Sequence, residues 1–138
     1  MKDVKSMKRP ARMEHLESLI GFVAACAREH GVPPKIVSKI ELAAEEALVN
    51  IIRYAYPDKP GEVEVACHKD GNAFTVIFKD WGTPFDPVTR PDPNTHLSLA
   101  ERRIGGMGIL LIKRMIPEVR YERKDQANVL YFIIPEER

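Results

Sequence analysis

Glu46 and Asn50 stand four residues apart within Glu41-Leu42-Ala43-Ala44-Glu45-Glu46-Ala47-Leu48-Val49-Asn50-Ile51-Ile52-Arg53. Val37, Ile40, Ala44, Leu48, Ile51 and Ala55 recur at three- and four-residue steps, which predicts one amphipathic helix through this stretch. Glu46, Asn50 and Arg53 then share a face roughly opposite that apolar stripe. A carboxylate and a carboxamide one turn apart are separated by about 6 Å of rise, so both can serve one small site. The carboxylate can take a proton or orient a nucleophile. The amide oxygen can ligate a hard cation such as magnesium, with water and phosphate oxygens completing the octahedron. Taken alone, these residues fit a solvated helix face better than a site.

Two glycine-bearing segments add further chemistry. Asp80-Trp81-Gly82-Thr83-Pro84 follows a run of alternating apolar residues, Phe74, Val76 and Phe78. An aspartate at a strand end can accept a hydrogen bond from an amino group such as adenine's, and a glycine beside it lets backbone approach a flat ring. The same residue types make an ordinary turn. Gly105-Gly106-Met107-Gly108 precedes an apolar run, Ile109 to Ile116. Exposed N–H groups at a helix start make a cradle for phosphate. No Gly-Lys-Ser/Thr follows these glycines, so this is not a Walker A loop. Arg102 and Arg103 stand just before the cradle, where either could meet a terminal phosphate.

The elements that must hold these residues can be read in order. Residues 1–12 carry Lys2, Lys5, Lys8, Arg9 and Arg12 against Asp3, and are expected to be a flexible basic lead-in. Met13 to about His30 reads as a helix stopped by Gly31. Pro34 suits the first turn of the second helix, which is expected to end near Tyr56-Pro57. Glu62–His68 and Phe74–Phe78 alternate on either side of Lys69-Asp70-Gly71-Asn72, a hairpin. Residues 85–104, rich in Pro, Asp and Thr, are expected to form a lid. A buried helix ending at Pro117 follows, then two strands, Val119–Arg123 and Val129–Ile134, joined by the turn Asp125-Gln126-Ala127-Asn128. This order predicts an α+β two-layer sandwich, a mostly antiparallel mixed sheet with helices on one face.

Three signals in this order, Glu-x-x-x-Asn, Asp-x-Gly-x-Pro and Gly-Gly-x-Gly, resemble the GHKL, or histidine-kinase-like, ATPase superfamily with its Bergerat-type ATP-binding fold. The resemblance is strongest to the anti-sigma-factor serine/threonine kinases, the partner-switching kinases of bacteria. It covers roughly residues 11–134 and includes Glu46–Asn50, Asp80–Pro87, Glu101–Ile109 and Asn128-Val129-Leu130. It implies that Glu46 is the general base and Asn50 the Mg2+ ligand. It implies that Asp80 binds adenine with Gly82 beside the ring, and that Asn128 lies near the base. Gly106 and Gly108 match the phosphate-loop glycines, with Gly105 beside them, and Arg102 matches a lid arginine aimed at the γ-phosphate. Arg53 completes the expected nucleotide-contacting set.

The activity implied is ATP- and Mg2+-dependent phosphorylation of a serine on an antagonist protein, together with sequestration of a sigma factor. An ATP-gated protein-binding switch without phosphotransfer is the alternative. A homodimer fits the family as well. The 138 residues suit a single ATPase domain over 13–138, and a chain of that size buries roughly 68–70% of its unfolded surface. Net charge of +1 points to no nucleic acid or membrane. Cys26 and Cys67 read as small buried residues of a reducing, cytoplasmic protein, with no signal peptide or spanning run.

Overall fold

The computed structural model describes residues 4–84 and 108–136. Its elements are β1 (Lys5–Pro10), a 3-10 turn (Met13–His15), α1 (Leu16–Glu29), α2 (Pro34–Tyr54), β2 (Glu62–Asp70), β3 (Ala73–Asp80), α3 (Gly108–Met115), β4 (Glu118–Lys124) and β5 (Ala127–Pro135). The five strands form one sheet in the order β1-β2-β3-β5-β4. Every pairing is antiparallel. No helix among the described residues is long and apolar enough to cross a membrane.

Period-two alternation decides which face of the sheet the helices cover. Val63, Val65 and Cys67 of β2, Phe74, Val76 and Phe78 of β3, and Leu130, Phe132 and Ile134 of β5 are buried in one cluster with α1, α2 and Ile112 of α3. Phe78 and Phe132 meet edge to face, with ring centroids 4.8 Å apart. Cys26 and Cys67 lie in this core as free thiols.

Local chemistry ends each element. At the end of α1, Gly31 adopts φ +79°, its N–H bonds the Arg28 carbonyl and the Val32 N–H bonds the Ala27 carbonyl. This is the paired bonding of a left-handed helix cap, which glycine enters without steric cost. Pro34 opens α2, where its missing N–H costs nothing. The β4–β5 turn is two residues, Asp125 and Gln126, both with positive φ (52° and 65°). Two such residues match the twist of the flanking strands. The turn is shorter than the sequence predicts, so Ala127 and Asn128 belong to β5, where Asn128 pairs with Arg123.

The basic lead-in is a correction. Lys5–Pro10 is not a flexible tail but an edge strand paired with β2, Met7 opposite Val65. Only Met7 packs on the core, so a single apolar residue gives no periodic signal. The lysines serve the edge itself, since charge there discourages further strand pairing.

Candidate functional site

Asp80 is the last residue of β3, and alternation turns it to the helix side while Trp81 turns to the open side. There Lys8 Nζ (4.8 Å) and Lys79 Nζ (5.4 Å) both come within cation–π range of the Trp81 ring centroid. Asp80 itself is 4% exposed. Its Oδ1 accepts the Gly82 N–H (2.9 Å) and Asn128 Nδ2 (2.9 Å). Asn128 Nδ2 also donates to the Thr83 carbonyl (2.7 Å). Tyr121 donates its hydroxyl to Asn128 Oδ1 (2.5 Å). Burial pushes the Asp80 carboxyl above its usual range, and the Asn128 and Gly82 hydrogen bonds and the Arg123 charge pull it back.

Asp80, Thr83, Tyr121 and Asn128 line a cavity open to solvent, together with Ala47, Asn50, Ile51, Tyr54, Ala55, Phe78, Ile112 and Leu130. The mixture of apolar walls with few polar groups suits a small flat ligand. The structure therefore brings Asn50, Asp80 and Asn128 to one cavity. Glu46, half-buried, stands one turn before Asn50 but is not among the lining residues. Arg53 is exposed and does not line it either. Arg102, Gly105 and Gly106 lie outside the described residues, and Gly108 opens α3.

Asn50 departs from the polar face expected of it. It is 8% exposed, because α2 is packed on one flank by α1 and on the other by α3. Ala43 and Ala47 are buried with it, widening the stripe read from the sequence. Its carboxamide has no hydrogen-bond partner among the described residues. A largely buried amide that lines a cavity is where a ligand or a hydrated cation could bond. Magnesium fits this residue as a single protein ligand. Among the described residues no group of three or more His, Cys, Asp or Glu could hold a metal without such help.

Gly82 also has a packing reason for being glycine. A Cβ there would meet the Ala55 carbonyl oxygen at 2.1 Å and its carbon at 2.6 Å. The requirement is close packing of the loop on the end of α2, where the Thr83 N–H bonds the same carbonyl (2.9 Å). Gly82→Ala must displace backbone, so we expect about 1–3 kcal/mol of destabilisation in chemical denaturation. An unchanged midpoint would refute the close approach.

Sequence reasoning missed three residues here. Tyr121 and Tyr54 line the cavity. Tyr56 donates to the Glu62 carbonyl (2.6 Å) and accepts the Trp81 N–H (2.8 Å), tying the start of β2 to the end of β3. Tyr54 lies at the end of α2, Tyr56 just beyond it and Tyr121 in the middle of β4, and spacing alone does not distinguish any of them from a wall residue. Arg123 adds a bond to the Gly82 carbonyl (2.8 Å).

Comparison with known proteins agrees with this geometry. Residues 9–134 match the family described as histidine kinase-like ATPase domain. The chain is 26% identical over 135 residues to the serine-protein kinase RsbW of Listeria innocua, covering 94% of this chain and 86% of the relative. It is 24% identical over 133 residues to RsbW of Bacillus thuringiensis, covering 90% and 80%. It is 28% identical over 92 residues to the serine/threonine-protein kinase BtrW of Bordetella bronchiseptica, covering 66% and 65%. The match covers α1 to α3, β2 to β4 and nearly all of β5, includes Asn50, Asp80 and Asn128, and the chain belongs to the histidine kinase-like ATPase domain family.

Proposed function

We propose that this protein is an ATP-dependent protein serine/threonine kinase that phosphorylates a serine on an antagonist protein and, by resemblance, sequesters a sigma factor. The observation that carries the ATP part is the Asp80 carboxylate. One of its oxygens is committed to Gly82 and Asn128, and it sits at the end of a cavity that Asn50 also lines. A carboxylate presented this way accepts from the 6-amino group of adenine and repels a 6-oxo group. Phe78, Ile112 and Leu130 give the ring apolar walls.

Asn50 would hold the magnesium that ATP brings, which supplies charge neutralisation on the phosphates. Glu46, one turn earlier, takes the proton of the acceptor hydroxyl as the serine oxygen attacks the γ-phosphorus and ADP leaves. Arg102 and the glycines at 105, 106 and 108 would bind the phosphates. Most of the rate enhancement is then positional and electrostatic. The kinase part draws on the serine kinases to which the chain is similar. Incubation with γ-labelled ATP, magnesium and candidate antagonists tests it. Serine phosphate on one antagonist is expected. Tight ATP binding without transfer to any of them would replace the kinase reading with the ATP-gated switch.

A further inference from the structure

The carboxamide of Asn128 is 5% exposed, and three of its bonding positions are filled by three different parts of the chain. Its two hydrogens go to Asp80 at the end of β3 and to the Thr83 carbonyl in the following loop. Its oxygen accepts from Tyr121, seven residues earlier on β4. The register puts Tyr121 opposite Leu130, so its hydroxyl reaches Asn128 on the diagonal, across the same covered face. Turning the amide over would set oxygen against oxygen at Asp80 and Thr83 and nitrogen against a hydroxyl donor.

We infer that Tyr121 is a positioning residue for base selection: through Asn128 it fixes which oxygen of Asp80 is occupied and which is left for the 6-amino group of a purine. The inference rests on the reading of the cavity as a purine site. Tyr121 need not bond the base, since its hydroxyl proton is already directed at Asn128. Without that proton, the buried Asn128 oxygen loses its tyrosine donor. The amide then gains freedom to swing, and the Asp80 carboxylate turns with it. The consequence is a loss of discrimination between 6-amino and 6-oxo purines rather than a general loss of nucleotide affinity.

The test compares ATP with inosine triphosphate, which differs at the 6-position and carries no 2-amino group. Dissociation constants are measured for the wild type, Tyr121→Phe, Asn128→Ala and the double variant, each checked by thermal melting. Phe retains the aromatic wall. Tyr121→Phe is expected to shrink the ATP preference about three- to tenfold, the worth of one buried hydrogen bond. The double variant is expected to be no less selective than Asn128→Ala alone, because Tyr121 acts through Asn128. Equal weakening toward both nucleotides, or additive losses, would show that Tyr121 only packs the wall and would overturn the inference. Should Tyr121→Phe fail to fold, Asn128→Ala decides: an unchanged ATP preference there overturns it too. A wild type that binds neither nucleotide would instead sink the purine-site reading itself.

Discussion

Asp80→Asn is expected to invert the base preference of this protein, from ATP to inosine triphosphate. The two groups that bond Asp80 Oδ1, the Gly82 N–H and Asn128 Nδ2, are both donors. In the variant they select the amide oxygen for that position and send the new NH2 group to the other. An acceptor facing the cavity becomes a donor in the same place, with almost no change in shape. Adenine then meets donor with donor, and a 6-oxo purine finds the bond it lacked. Hydrogen bonds to charged groups are worth about 1.5–3 kcal/mol, so ATP should weaken about 10- to 100-fold. Competition binding with the two nucleotides checks it, and a variant that still prefers ATP would contradict the assignment.

The fold should not suffer with it. Burial raises the Asp80 carboxyl above its unfolded value. A raised carboxyl contributes stability that is fully present below the unfolded pKa and is lost as pH rises through the folded one. Wherever Asp80 is ionised, that contribution is absent from the free protein. Asp80→Asn should melt no lower than the wild type at pH 7, and the difference between them should narrow on acidification. A large drop in melting temperature at pH 7 would mean that the carboxylate is held by more than Asn128, Gly82 and Arg123.

Glu46→Gln is expected to abolish phosphotransfer while leaving ATP binding intact. The side chain is half-buried on α2, one turn before Asn50, and outside the cavity lining. Glutamine keeps its volume and polarity but cannot take a proton. Loss of a positioned general base costs about 10²- to 10⁴-fold in rate. Initial rates of serine phosphorylation, set beside ATP dissociation constants, separate the two effects. A fall in both together would make Glu46 a binding residue, and a fall in neither would remove it from the mechanism.

Much of this architecture was legible from residue types. Gly31, Pro34 and the Lys69–Asn72 hairpin marked element ends because each has a backbone requirement that only a few residues meet. The alternation of Phe74, Val76 and Phe78 was readable as a strand leading into Asp80, and in the structure Asp80 is buried on the same face. What escaped has equally physical reasons. β1 buries little beyond Met7 and is held by main-chain pairing, which leaves no trace in side-chain type. Asn128 looked like a turn residue, since Asp125, Gln126 and Asn128 share that chemistry, and only the tight two-residue turn puts it inside β5. Asn50 looked solvated because the packing of α3 on α2 is a tertiary fact. The motif order named the family, and the match over residues 9–134 agrees with it. The hydrogen bonds that turn Asp80 into a directional acceptor had to be seen.

Titration calorimetry of the protein with ATP, and separately with inosine triphosphate, in the presence of magnesium tests the central claim most directly. The account predicts saturable heat from ATP at one site per chain, much weaker heat from inosine triphosphate, and the reverse order in Asp80→Asn. No heat from ATP, or equal heat from both nucleotides in the wild type, would contradict it.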